Sequence, residues 1–316
     1  MPICNPRFRR VHLLAALAIA CGLFNQPAPA QIAPVQKAQP ATSAPVQMEH
    51  ISIETIGHGT PVILIPGLAS PRAAWDGVAP ALARGHSVLL VQVNGFAGDD
   101  PRGNLSGGLL DGIVADLHAM IAARKLDRPA IVGHSMGGLV GLMLAARHPA
   151  DMGRLMMVDS LPFFAATLVP PGTPITAAMV EPRAAQMRDA VAGSYGKPAD
   201  RGAAAAQVAS MTLNPDHRAR LTEWAMRADP RVTARALYED LVTDMRPELP
   251  KVRTPVTVVY AWNEAYPRKD AADAFFRGQF TGMANATFVG VGPAAHFVML
   301  DQPAAFNAAL DRFLVS

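Results

Sequence analysis

Polar and apolar positions along the 316-residue chain follow two alternating rhythms. Short, nearly uninterrupted apolar runs recur at 62–65, 87–93, 130–132, 154–158 and 256–260. Runs of this length suit strands buried on both faces. Residues 49–56 differ, because Ile51 and Ile53 alternate with polar neighbours as in a half-buried strand, and a further strand is expected over 287–291. Helical periods lie between the runs. Leu110, Ile113, Val114, Leu117, Met120 and Ile121 recur at three- and four-residue intervals, which predicts a core-facing helix over 109–124. Helices are also expected over 72–84, 139–147 and 269–280, and in a last stretch where Phe306, Leu310 and Phe313 share a side. Strands separated by helices at this cadence predict an α/β fold, a mainly parallel sheet with helices on both faces.

The rhythm breaks at Leu161. From 161 to 250 no strong strand signal occurs, and helical pieces are expected over 177–192, 203–213, 215–228 and 231–245. This stretch reads as a helical lid inserted into a core made of residues 48–160 and 251–316. No internal repeat is visible. Residues 31–47, rich in Pro, Ala and Gln, read as a disordered or extended leader.

The first thirty residues change the meaning of the charge. Arg7, Arg9 and Arg10 precede an apolar segment over 11–23 and then Ala28-Pro29-Ala30, the layout of a secretory signal peptide cleaved after Ala30. The expected destination is the periplasm or the exterior; a lipid-modified Cys21 is the alternative. The apolar segment is short for a membrane span, so none is expected once the signal is removed. Those three arginines account for the whole formal net charge of +3. The remainder is balanced and gives no reason to expect nucleic acid as a partner. Cys4 and Cys21 both lie in the same segment, which excludes a disulfide, a cysteine nucleophile and a thiolate metal site from the exported domain.

The stretch Gly133-His134-Ser135-Met136-Gly137-Gly138 joins an apolar run to a helical one. A serine bracketed by glycines there fits a nucleophile elbow, a strained strand-to-helix turn that raises the hydroxyl above the sheet edge. Further along, Glu264 and then His296 follow late strands, giving the order serine, acid, histidine. A serine hydroxyl is a weak nucleophile and needs a nearby base, for which a histidine titrating near neutrality is suited. A carboxylate must in turn fix the histidine tautomer. The glycine clusters at 95–98 and 106–108 lack the Gly-Lys-Ser/Thr of a phosphate loop and read as turns. His134 reads as a packing residue.

Together, Ile65-Pro66-Gly67-Leu68, the elbow, Tyr260-Ala261-Trp262-Asn263-Glu264, and His296-Phe297 followed by Asp301-Gln302-Pro303 resemble the α/β-hydrolase superfamily across nearly all of the mature chain. The resemblance implies Ser135 as nucleophile and His296 as base. It implies Glu264 as the acid, with Asp159 at the end of the strand before the lid as the alternative and Asp270 as a third. The backbone amides of Leu68 and Met136 would form the oxyanion hole, and Pro66 where many members carry histidine leaves the Leu68 amide available. Phe163, Phe164 and Trp262 flank the expected entrance and either line an apolar pocket or belong to the core.

The function expected is an exported serine hydrolase cleaving a small, apolar carboxylic ester through an acyl-Ser135 intermediate, without cofactor or metal. Dehalogenation and epoxide opening need an aspartate at the elbow, so Ser135 argues against both. Amide hydrolysis of the aminopeptidase kind, with Glu181 or Glu223 as lid acids holding an ammonium, and carbon–carbon bond hydrolysis use the same triad. A non-catalytic binding protein on a hydrolase scaffold is the alternative from another class.

Overall fold

The computed structural model describes residues 44–265 and 267–315. The signal peptide expected over 1–30, the lipid-modified Cys21 and the leader up to residue 43 lie outside them. Among the described residues eight strands form one sheet: β1 (Val46–Gln47), β2 (Ile51–Ile56), β3 (Thr60–Ile65), β4 (His86–Val93), β5 (Ala130–His134), β6 (Arg154–Val158), β7 (Val256–Ala261) and β8 (Ala286–Val291). Their order across the sheet is β1-β2-β4-β3-β5-β6-β7-β8. The first two strands pair antiparallel, as do β2 and β4, and every later pairing is parallel. The end of the expected leader is thus an edge strand rather than loose chain.

Helices fill the connections: α1 (Ala79–Leu82), α2 (Leu109–Ala123), α3 (Met136–Arg147), α4 (Ala177–Ala192), α5 (Arg201–Val208), α6 (Pro215–Arg227), α7 (Pro230–Val242), α8 (Lys269–Gln279), α9 (Val298–Asp301) and α10 (Pro303–Val315). Alternate residues of each central strand feed opposite faces, as the strand period requires. Ile63 and Ile65 join a core beneath α2, α3 and α8, whereas Val62 and Leu64 join one with Trp75 and the Phe306, Leu310 and Phe313 stripe of α10. Covered on both sides, the parallel strands need no polar face, which is why they read as continuous apolar runs.

Two expected helices differ. In place of one helix over 72–84 there are a 3-10 turn at Arg72–Trp75 and the four-residue α1. Gly77 lies between them, and Pro80, lacking an N–H, fits only the first turn of a new helix. The helix expected over 203–213 is α5, which starts earlier because the Asp200 carboxylate accepts from the Ala203 amide at 3.0 Å and caps it.

Between β6 and β7 run α4 to α7. Phe163, Ile175, Val180, Ala184 and Leu241 form a small apolar cluster of their own there, while Val232 and Ala236 of α7 join the core beneath α2. No helix among the described residues is long and apolar enough to cross a membrane.

Candidate active site

The candidate residues Leu68, Ser135 and Asp159 follow the carboxyl ends of parallel strands β3, β5 and β6. Leaving β5, the chain turns at Ser135 with φ 53° and ψ −124° and enters α3 at once. A non-glycine residue at positive φ is strained, at a cost on the order of 1–3 kcal/mol, and persists only where its surroundings hold it. The Ser135 amide donates to the Val158 carbonyl at 2.9 Å. A β-carbon on Gly133 would lie 2.2 Å from the Gly137 carbonyl oxygen, and one on Gly137 would lie 2.5 Å from that of Ile65. The bracketing glycines are therefore what lets strand and helix close on the serine.

His296 lies between β8 and α9 in a loop tied down from several sides. The Asp301 carboxylate accepts from the Ala295 amide at 2.8 Å and from the Leu213 amide at 3.1 Å. The Phe297 amide donates to the Met211 carbonyl at 3.0 Å. His134, fully buried behind Ser135, donates from Nε2 to the His296 carbonyl at 3.0 Å, and its ring packs on those of His296 and Phe297. Burial first, then the neighbouring His296, holds His134 well below the usual imidazole range and keeps it neutral. His134 is thus a packing residue with a positioning bond.

The imidazole Nδ1 of His296 donates to Asp159 Oδ2 at 2.7 Å. The other carboxylate oxygen of Asp159 accepts from the Ala261 amide at 2.9 Å, and the side chain is buried. Asp159 ends β6 with φ 45°, its own amide donating to the Val259 carbonyl at 2.7 Å. With Nδ1–H committed to this carboxylate, Nε2 is left as the basic atom.

Glu264 does not meet His296. Its side chain is 81% exposed and pairs with Arg268 at 3.3 Å, because it projects from the turn beyond β7 rather than from the strand end. Asp270 is exposed in the first turn of α8. Of the three acids considered, the structure brings Asp159 alone to the histidine.

Leu68 follows β3 and borders the same cavity as Ser135. A β-carbon on Gly67 would lie 2.9 Å from His134 Nδ1 and 3.0 Å from Ser135 Cβ, so this loop lies directly against Ser135. Among the described residues, neither the Leu68 nor the Met136 amide has an acceptor within the protein.

The cavity has two lobes. One of about 100 Å³ is walled by Leu68, Met211, Leu221, Trp224 and Phe297, the other of about 50 Å³ by Asp159, Leu161, Thr167, Phe275 and Phe276. Ser135, Phe164, Asp240 and His296 border both lobes and mark their junction. Phe164 is thus a wall residue, whereas Phe163 is buried beneath the Arg246 guanidinium and Trp262 packs on Gly292, neither of them in the walls. Glu181 and Glu223 face solvent, bonded to Tyr238 and Arg201. Asp240 is the ionisable wall residue that sequence reasoning missed. Its signal was an acid continuing the four-residue spacing of Val232 and Ala236 along the buried face of α7.

Comparison with known proteins agrees with this fold. A family model described as the alpha/beta hydrolase fold matches residues 60–194. The chain is 29% identical over 225 residues to a pimeloyl-[acyl-carrier protein] methyl ester esterase of Aeromonas hydrophila, covering 70% of this chain and 81% of that protein. It is 34% identical over 103 residues to an N-formylmaleamate deformylase of Pseudomonas putida, covering 33% of this chain and 38% of that one. An esterase structure from Thermogutta terrifontis superposes with a TM-score of 0.69 at 19% identity, covering 86% of this chain and 98% of that chain.

Proposed function

Starting from the membership of this chain in the α/β-hydrolase superfamily as an enzyme, we propose that it is an exported serine hydrolase that cleaves a small, largely apolar carboxylic ester through an acyl-Ser135 intermediate. The observation that carries this reading is the contact of His296 with a buried Asp159 on the border of the cavity where Ser135 stands in its strained turn.

In the proposed cycle the Ser135 oxygen attacks the ester carbonyl while His296 Nε2 takes its proton. The resulting imidazolium is stabilised through Nδ1–H by Asp159. The oxyanion accepts from the Leu68 and Met136 amides, which have no acceptor of their own within the protein. Collapse of the tetrahedral intermediate breaks the carbon–oxygen bond, and the departing alkoxide takes the proton from His296. Water, deprotonated by the same nitrogen, then attacks the acyl-enzyme, releasing the acid and returning the proton to Ser135.

Both lobes are small and mostly apolar, which supports a short acyl chain and a compact alcohol. The test is a series of p-nitrophenyl esters of increasing acyl length. Acetate and butyrate are expected to exceed laurate by at least about tenfold in kcat/KM, since even one methylene too many in an apolar pocket is worth about 1–3 kcal/mol. A rate that rises with chain length contradicts the reading. The helices over 161–250 then act as the lid that shapes these lobes. Export rests on the layout of residues 1–30, and a mature protein recovered from the periplasm with Gln31 at its amino terminus is the expected result; an unprocessed cytoplasmic chain contradicts it.

A further inference from the structure

The cycle above has no use for Asp240, yet this carboxyl borders both lobes together with Ser135 and His296. It is 4% exposed, and among the described residues it accepts no hydrogen bond and pairs with no cation. Burial pushes it up to about 7, with His296 pulling the other way. Its place in the last turn of α7, where the helix dipole is negative, disfavours its charge further.

A buried acid without a partner is costly, and relaxation toward water is the ordinary remedy. Here the helix that carries it is held. The Glu239 carboxylate, on the neighbouring residue, accepts from the Gly108, Leu109 and Leu110 amides at 3.0, 2.9 and 2.8 Å and so caps α2. At the other end of α7 the Asp229 amide donates to the Gly95 carbonyl at 2.7 Å, and Val232 packs against Gly95. Asp240 is thereby fixed at the junction, with its acceptor capacity free and the nucleophile sharing its cavity.

The chemistry of an ester limits what Asp240 can meet there. The reacting carbon bonds to Ser135, so the atoms next to it occupy the junction. On the alcohol side that atom is the ester oxygen, which carries no donor. On the acyl side it is the α-carbon, which can. Resting on the hydrolase reading above, we propose that Asp240 is a substrate-recognition residue that accepts a hydrogen bond from a donor on the α-carbon of the acyl group, so that α-hydroxy or α-amino esters are preferred to plain alkyl esters.

The test uses the mature protein with methyl butyrate, methyl 2-hydroxybutyrate and methyl 2-aminobutyrate, following methanol release, alongside labelling of Ser135 by a fluorophosphonate. The wild type is expected to favour the donor-bearing esters by about tenfold to a hundredfold in kcat/KM, since a site built to bond a donor penalises the analogue lacking it. Asp240→Asn, still an acceptor but uncharged, keeps the preference for the hydroxy ester and loses that for the amino ester. Asp240→Leu loses both preferences, so that the three esters differ by less than about threefold in kcat/KM, and labelling of its Ser135 by the fluorophosphonate reports that it folds. Equal turnover of all three esters by the wild type, or a uniform loss in Asp240→Leu, overturns the role of Asp240 and leaves the hydrolase reading standing. So does a Ser135 that labels while all three esters are refused. Refusal of all three with no label on folded protein brings down the hydrolase reading and this one with it.

Discussion

Asp159→Asn is expected to lower kcat for p-nitrophenyl acetate by about 10⁴-fold, while Glu264→Gln leaves it within about twofold. The asymmetry follows from what each acid touches. Asp159 accepts Nδ1–H of His296 at 2.7 Å from a buried position, so it selects the tautomer with a free Nε2 and, in the proposed cycle, stabilises the imidazolium formed during attack. An asparagine there offers one acceptor and one donor, and a donor facing Nδ1 favours the wrong tautomer. A loss of 10⁴ is about 5 kcal/mol of transition-state stabilisation. Glu264 holds only a solvent-exposed pairing with Arg268, and such pairs contribute little. Steady-state kinetics on the two variants decide the matter, and a large loss in Glu264→Gln with activity retained in Asp159→Asn would reverse the assignment.

A second large effect is thermodynamic. The Asp240 carboxyl is pushed from 3.8 up to about 7 in the folded protein, so between those values the native state holds a proton that the unfolded chain releases. The contribution of this carboxyl to stability therefore falls as pH rises from about 4 to about 7 and levels off above. The loss is on the order of 4 kcal/mol, at about 1.4 kcal/mol per unit of raised pKa. Asp240→Asn removes this slope. Urea unfolding at pH 5 and pH 8 should show the variant gaining on the wild type at the higher pH, by a few kcal/mol, through a shift of the midpoint at constant slope. A variant less stable than the wild type at pH 8 would mean that the carboxylate has a partner in the native state. The same substitution bears on specificity as well, so activity and stability report on one buried group by independent routes.

Much of this architecture was legible in the chain itself. Strands covered on both faces tolerate few polar residues, so β3 to β7 announce themselves as apolar runs. The elbow is legible because Gly133 and Gly137 are demanded by close backbone contact, and His296 because Asp301 is needed to hold its loop. Which acid meets His296 was not legible, since Asp159 and Glu264 both follow strands and nothing local tells them apart. Pairing between β6 and β7 decides it: Val158 lies opposite Val259, which brings Asp159 level with the Ala261 amide, while Glu264 falls in the turn beyond the sheet. Asp240 was hidden for a related reason. One acid within an amphipathic helix reads as part of its solvated face until packing shows that the row through Val232 and Ala236 is the buried one. Of the shorter misreadings, the helix over 72–84 failed at Gly77 and Pro80, where local breakers outweigh apolar spacing.

The central claim is that Ser135 is an activated nucleophile served by His296. Treating the purified protein with a fluorophosphonate and locating the adduct by mass spectrometry tests it without any knowledge of the natural substrate. The account predicts one covalent adduct on Ser135, absent from Ser135→Ala and slowed by several orders of magnitude in His296→Ala. Folded wild-type protein that remains unlabelled, or that labels at Ser135 equally fast without His296, would contradict it.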